Sequence, residues 1–205
     1  MFVRILLHPR TMKTIFDFTP DDDAAVLQSA REQVASAIRG NPAPRGLPPE
    51  LADAPITGLF VTLKNRDKLR SCIGYWNGES AGPLGPALAR AAVGAATDDP
   101  RFPPIPLKEV PALTVEVSLL SNPRTVEATG EGRIGEVAVG RHGLILEDGR
   151  HRGLLLPQVA TEHGWGARTF LEHTALKAGL PRSAWLDPKT TLTTFEARIL
   201  VNPPE

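Results

Sequence analysis

Between Leu113 and Leu119 apolar and polar residues alternate without a break: Leu113, Val115, Val117 and Leu119 stand against Thr114, Glu116 and Ser118. Successive side chains of a strand point to opposite faces, so this pattern puts one face into a core and leaves the other wetter. The chain must therefore build a sheet around this segment. Gly58 to Lys64 reads as a second strand from its β-branched and aromatic content, and the polar turn Asn65-Arg66-Asp67-Lys68 leads it back into Leu69 to Gly74. Gly143 to Glu147 and Arg150 to Leu156 flank Asp148-Gly149, a dipeptide suited to the tight primed turn. That turn predicts a hairpin with Glu147 and Arg150 as cross-strand neighbours. Thr190 to Val201 alternates well enough to be a final strand.

Helices are interleaved with these strands. Thr19-Pro20-Asp21-Asp22 offers a threonine cap, a proline at the first helical position and acids in the first turn, all suited to exposed amides at the positive end of a helix. Ala24, Leu27, Ala30, Val34 and Ile38 then recur every three or four residues until Gly40. An alanine-rich helix is expected from Leu84 to Thr97, a short one from Pro157 to His163, and another from Ala167 to Ala178 with Gly179 as its left-handed stop. Asn41 to Ala54, with its prolines, reads as an irregular connection, and Asn122 to Gly140 as loops and short strands. Hairpin connections imply an α+β class, a mainly antiparallel sheet flanked by helices, rather than a doubly wound parallel sheet.

The 205 residues suffice for one domain or two subdomains with a shared core. Lys plus Arg number 23 and Asp plus Glu number 23, so no net field favours a nucleic-acid backbone or an anionic membrane. The single cysteine excludes an internal disulfide and fits a reducing compartment, the cytoplasm by default. The apolar opening up to Leu7 is interrupted by His8-Pro9-Arg10, too early for a membrane span or a signal core. Residues 1–11 are read as an extension ahead of a domain over 12–201, with an edge strand from Val3 to Leu7 as the alternative, and 202–205 as a frayed tail.

Several motifs then occur in a fixed order. They are Leu69-Arg70-Ser71-Cys72-Ile73-Gly74, Asp99-Pro100-Arg101-Phe102-Pro103-Pro104, Glu116-Val117-Ser118-Leu119-Leu120, Leu156-Pro157-Gln158-Val159 with Trp165, Phe170-Leu171, and Lys177-Ala178-Gly179-Leu180-Pro181. Over roughly Asp21 to Val201 the chain resembles the AMMECR domain family. The resemblance implies an α+β fold of two unequal subdomains with the cysteine motif near their junction. For prokaryotic members it also implies a system shared with a Memo-like protein and a radical S-adenosylmethionine enzyme; it carries no established reaction and no named cofactor. The usual motif has glycine where Ser71 stands.

The chemistry centres on Cys72. A strand would place Arg70 and Cys72 on one face, and a nearby cation favours the nucleophilic thiolate. Against this, simple pairing from the turn sets Cys72 opposite Val61, on a face with Leu59 and Leu63, where a cysteine is a small apolar filler. A nucleophile would want a base, and His142 and His173 are the histidines beside family-like segments. Arg70 and Arg101, converging near Ser71 and Gly74, could hold an anion by paired hydrogen bonds, or Arg101 could fasten a helix end through Asp98 or Asp99. No metal motif is present: there is no His-Glu-x-x-His and no cysteine pair. Two functional readings remain open. One is a small-molecule or protein-modification component with its site around Arg70, Cys72 and Arg101; the other is a non-catalytic module that docks a Memo-like or radical S-adenosylmethionine partner.

Overall fold

The computed structural model describes residues 13–66, 68–78 and 80–202. The expected extension over 1–11, its alternative as an edge strand from Val3 to Leu7, and residues 203–205 of the expected tail lie outside them, whereas Asn202, read as the start of that tail, ends the last strand opposite Val115. Helix α1 (Pro20–Arg39) begins with a reciprocal capping box between Thr19 and Asp22 and ends at Gly40, whose φ is 68°. A short α2 (Pro49–Ala52) and β1 (Pro55–Ile56) lead into β2 (Gly58–Asn65) and β3 (Lys68–Trp76). Then come β4 (Gly82–Pro83), α3 (Leu84–Thr97), β5 (Leu113–Thr125), β6 (His142–Glu147), β7 (Arg152–Leu155), α4 (Pro157–Glu162), α5 (Ala167–Lys177) and β8 (Thr191–Asn202).

Strands β1 and β4 pair by themselves, and the other six form one antiparallel sheet in the order β3-β2-β5-β8-β6-β7. The α+β class is therefore as expected. One face of the sheet carries the helices. Leu59, Val61, Leu63, Val115, Val117 and Leu119 pack there in one buried cluster with Val26, Ala30 and Val34 of α1 and the alanines of α3. Farther along, Leu144, Leu146 and Leu192 meet Ala160 of α4 and Phe170, Leu171 and Ala175 of α5. Each such fully buried large side chain contributes about 1.5–3 kcal/mol relative to exposure. Arg198 ties α1 to the sheet through two contacts with Asp23, at 2.9 and 2.7 Å.

The opposite face holds a smaller cluster of Leu120, Ile145 and Phe195, with Phe60, Trp76, Leu154 and Leu156 against it. Trp76 and Phe195 lie on strands three spacings apart, about 14 Å in a flat sheet, yet their ring centroids are 5.8 Å apart. Three large rings on this face each cover a glycine directly across the ladder: Trp76 over Gly58, Phe60 over Gly74 and Phe195 over Gly143. A Cβ at Gly143 would stand 2.2 Å from the Phe195 ring. The missing side chains let the rings lie flat along the sheet, which is how an aromatic partner shields an exposed strand glycine.

Two expected registers are corrected. Glu147 pairs with Arg152, not Arg150. The Asp148 carboxylate accepts from the amides of Arg150 and His151 and holds a longer loop in place of the two-residue turn. Cys72 pairs with Thr62, not Val61. The β2–β3 ladder starts at Asn65 and Lys68, as the tight turn requires, but Lys64 pairs with Leu69 and Leu63 with Ser71, leaving Arg70 as an extra residue. A bulge of this kind moves every later side chain of β3 to the other face. Strand β5 also runs to Thr125, through a register shift near Asn122, into a region expected to hold only loops and short strands.

Candidate functional site: the Asp99–Arg101 clamp on the Cys72 strand

The bulge decides where each residue of the Arg70 to Gly74 motif goes. Arg70, outside the ladder, turns to Glu109, which it meets with Nε at 2.6 Å and Nη2 at 3.3 Å, and Asn65 donates to the same carboxylate at 2.9 Å. The Arg70 and Asn65 contacts, set against burial, keep Glu109 below the usual carboxylate range. Ser71 points to the helical side and is buried. Cys72, next along, points to the face without helices, is half-buried, and receives a hydrogen bond on Sγ from the Thr62 hydroxyl at 3.3 Å.

Among the described residues β3 is an edge strand, and Cys72 has no sheet neighbour on its outer side. The segment after α3 fills that place. Asp99 accepts from the Cys72 amide at 2.9 Å and from the Ser71 hydroxyl at 3.2 Å. Arg101 donates to the Cys72 carbonyl at 2.8 Å. The same guanidinium grips Asp99 with Nε at 2.9 Å and Nη2 at 2.7 Å, and the Arg101 amide adds a contact at 3.1 Å. An acid and a base two residues apart thus imitate the donor and acceptor of a neighbouring strand.

The electrostatics follow from these contacts. Arg101 is the main cause that holds the Asp99 carboxyl far below its ordinary value; burial opposes this, and the Cys72 amide reinforces it. Asp99 in turn raises Arg101, with smaller contributions from its neighbour Cys72. The guanidinium is thereby held on the backbone of the residue that carries the thiol. On the helical side of the clamp a hollow of about 300 Å³ opens between Ser71, Asp99, Phe102 and Pro103.

Of the residues singled out in the sequence, Arg70, Ser71, Cys72, Gly74 and Arg101 gather here, while His142 and His173 do not. His142 stands on β6, four strands from β3, with Nδ1 at 3.2 Å from both the Ala138 amide and the Glu136 carbonyl. His173 stacks on Trp165 with centroids 3.9 Å apart, and His163 stacks on the same indole at 4.6 Å. Thr62 and Glu109 were missed by sequence reasoning. Thr62 depends on the bulge, and Glu109 lies 39 residues from the arginine it holds. Asp99 was legible only as a local partner of Arg101. Among the described residues no three histidine, cysteine or acidic side chains are grouped to hold a metal ion, and no helix is long and apolar enough to cross a membrane.

Comparison with known proteins finds relatives of the chain. The AMMECR1 family profile matches residues 27–200. A protein of Methanothermobacter thermautotrophicus is 44% identical over 182 residues, covering 87% of this chain and 93% of that one. Protein TK0174 of Thermococcus kodakarensis is 47% identical over 161 residues, covering 76% and 77%. The crystal structure of the uncharacterized protein PH0010 from Pyrococcus horikoshii superposes with a TM-score of 0.77 at 37% identity, covering 92% of this chain and 99% of that one.

Proposed function

The chain belongs to the AMMECR1 family, and on that premise we propose that it is a small-molecule or protein-modification component whose reacting group is Cys72. One observation carries the reading: Cys72 is half-buried on an edge strand, its Sγ accepts from the Thr62 hydroxyl at 3.3 Å, and its own carbonyl is held by the Arg101 guanidinium at 2.8 Å. A thiol attacks as thiolate, and a neighbouring cation and a hydrogen-bond donor both favour that form. Asp99 balances much of the Arg101 charge, so the pair offers the strand a fixed dipole rather than a wide positive field. Arg70, committed to Glu109, shapes the approach without reaching the sulfur. The Memo-like protein and the radical S-adenosylmethionine enzyme implied by the family resemblance are proposed as the components it works beside.

The test is thiol modification of the native protein. Iodoacetamide at neutral pH is expected to alkylate Cys72 without denaturant, and Thr62→Val or Arg101→Gln to slow the reaction several-fold. Labelling that occurs only after denaturation would sink the reading. So would full activity of Cys72→Ser and Cys72→Ala in a system reconstituted with the partners.

A further inference from the structure

The clamp covers one outward position of β3 and leaves the next two open. In an antiparallel ladder the amide and carbonyl of alternate residues turn away from the neighbouring strand together. Cys72 is such a residue, since its amide and carbonyl are taken by Asp99 and Arg101. Gly74 and Trp76 share its phase, so their backbone groups face the same way. Among the described residues nothing outside the sheet bonds to them. Folded proteins block such edges with charges, bulges or covering segments. Here the bulge at Arg70 and the clamp at Cys72 block the first half of the strand and stop short of the second.

Beside the open half lies a groove of about 300 Å³ between β3 and α3, lined by Ile73, Gly74, Tyr75, Asn77, Arg90 and Ala91. Ile73, Tyr75 and Ala91 give it an apolar floor. Arg90 is exposed, with its guanidinium 4.8 Å from the Tyr75 ring centroid, and it makes no ion pair among the described residues. An exposed guanidinium held over an aromatic ring beside an open strand edge is a fixed positive charge that a carboxylate can meet.

We propose that the Gly74–Trp76 edge of β3 is a docking site for an extended segment of a partner protein that carries a carboxylate. The segment adds a strand beside β3 in line with the clamp, exchanging backbone hydrogen bonds with Gly74 and Trp76. Alternate side chains of the segment enter the β3–α3 groove, and one carboxylate, from an acidic side chain or a chain end, pairs with Arg90. The site uses different atoms from the thiol reading and stands if that reading fails.

The experiment pans a display library of short linear peptides against the full-length protein, then resynthesises the selected sequences with a free or amidated end and with N-methyl groups at alternate amides. Selected peptides are expected to carry an acidic residue or to need the free end, which separates the two sources of carboxylate. N-methylation in one phase should weaken binding by up to about tenfold per lost hydrogen bond, and in the other phase leave it unchanged. Arg90→Lys should retain binding, whereas Arg90→Glu should lose it and turn the selection toward basic peptides. The proposal is overturned if no peptide is enriched, if N-methylation acts equally in both phases, or if Arg90→Glu binds the same acidic peptides. It is equally overturned if sedimentation shows a dimer of this chain that Arg90→Glu dissociates, since the edge is then occupied by a second copy.

Discussion

Asp99 accepts a hydrogen bond from the Cys72 amide at 2.9 Å, and through it the end of α3 is fastened to the outermost strand of the sheet. The carboxylate is nearly buried, whereas its partner Arg101 is about half exposed. Asp99→Asn keeps the shape but removes the charge that Arg101 and two other donors converge on. Loss of a buried partner costs several kcal/mol, and solvent access to Arg101 reduces that here. The expected loss is about 2 kcal/mol, read as a lower urea midpoint with an unchanged slope. The same variant should speed exchange of the Cys72 amide. An unchanged midpoint together with unchanged exchange would show that the clamp is not structural.

Gly74 is irreplaceable for a reason unrelated to its exposed edge. A Cβ there would stand 2.2 Å from the Leu59 carbonyl oxygen and 2.4 Å from the Phe60 ring. The ring could swing aside, but the backbone oxygen could not. Gly74→Ala should therefore destabilise by about 1–3 kcal/mol, the usual cost of forced overpacking. Gly82→Ala serves as the control, because the nearest atom to its Cβ is the Asn77 amide nitrogen at an ordinary 3.6 Å. That change should stay within about 0.5 kcal/mol. Equal thermal midpoints for the two variants would contradict the close-contact account.

Arg133 is 2% exposed, and among the described residues no carboxylate bonds to it. Its guanidinium donates to the carbonyls of Ala128, Trp185 and Thr190 and to the Thr190 hydroxyl, pinning the 130–136 turn to the chain just before β8. Burial lowers its pKa, with the charge of Asp187 opposing the effect. Arg133→Met relieves the buried charge but strands several acceptors, and Arg133→Lys cannot span the same fork. Both should lose about 2–4 kcal/mol in equilibrium unfolding. A methionine variant as stable as the parent would mean that water replaces the guanidinium.

These residues also show where the sequence was legible. Helix α1 could be bounded from Thr19, Pro20 and Gly40 because capping is a local matter, and α3 was expected over the residues it occupies. The alternation of Leu113 to Leu119 named its buried face correctly for the same reason. The β2–β3 register was not legible, because a bulge depends on what the extra residue finds, and Arg70 finds Glu109 on a distant turn. That one shift changed the candidate site: Cys72 left the apolar row of Leu59, Val61 and Leu63 for the row of Thr62. The pairing of Arg101 with Asp99 was visible two residues away, but its grip on the Cys72 strand was not.

Acid should act on the clamp late and in one direction. Asp99 is held below its ordinary value in the folded protein, first by Arg101 and then by the Cys72 amide, so the folded state binds its proton less readily than the unfolded chain does. A depressed carboxylate adds stability at pH above its unfolded value and loses it as pH falls through the folded one. Glu109, lowered chiefly by Arg70, has the same sign. Stability should therefore hold between pH 7 and about 5 on their account and decline below about 4, where their unfolded values lie. In Asp99→Asn that acid-side decline should be shallower, because one of the two groups no longer titrates. Urea midpoints measured against pH on parent and variant check this, and parallel curves would remove Asp99 from the acid response.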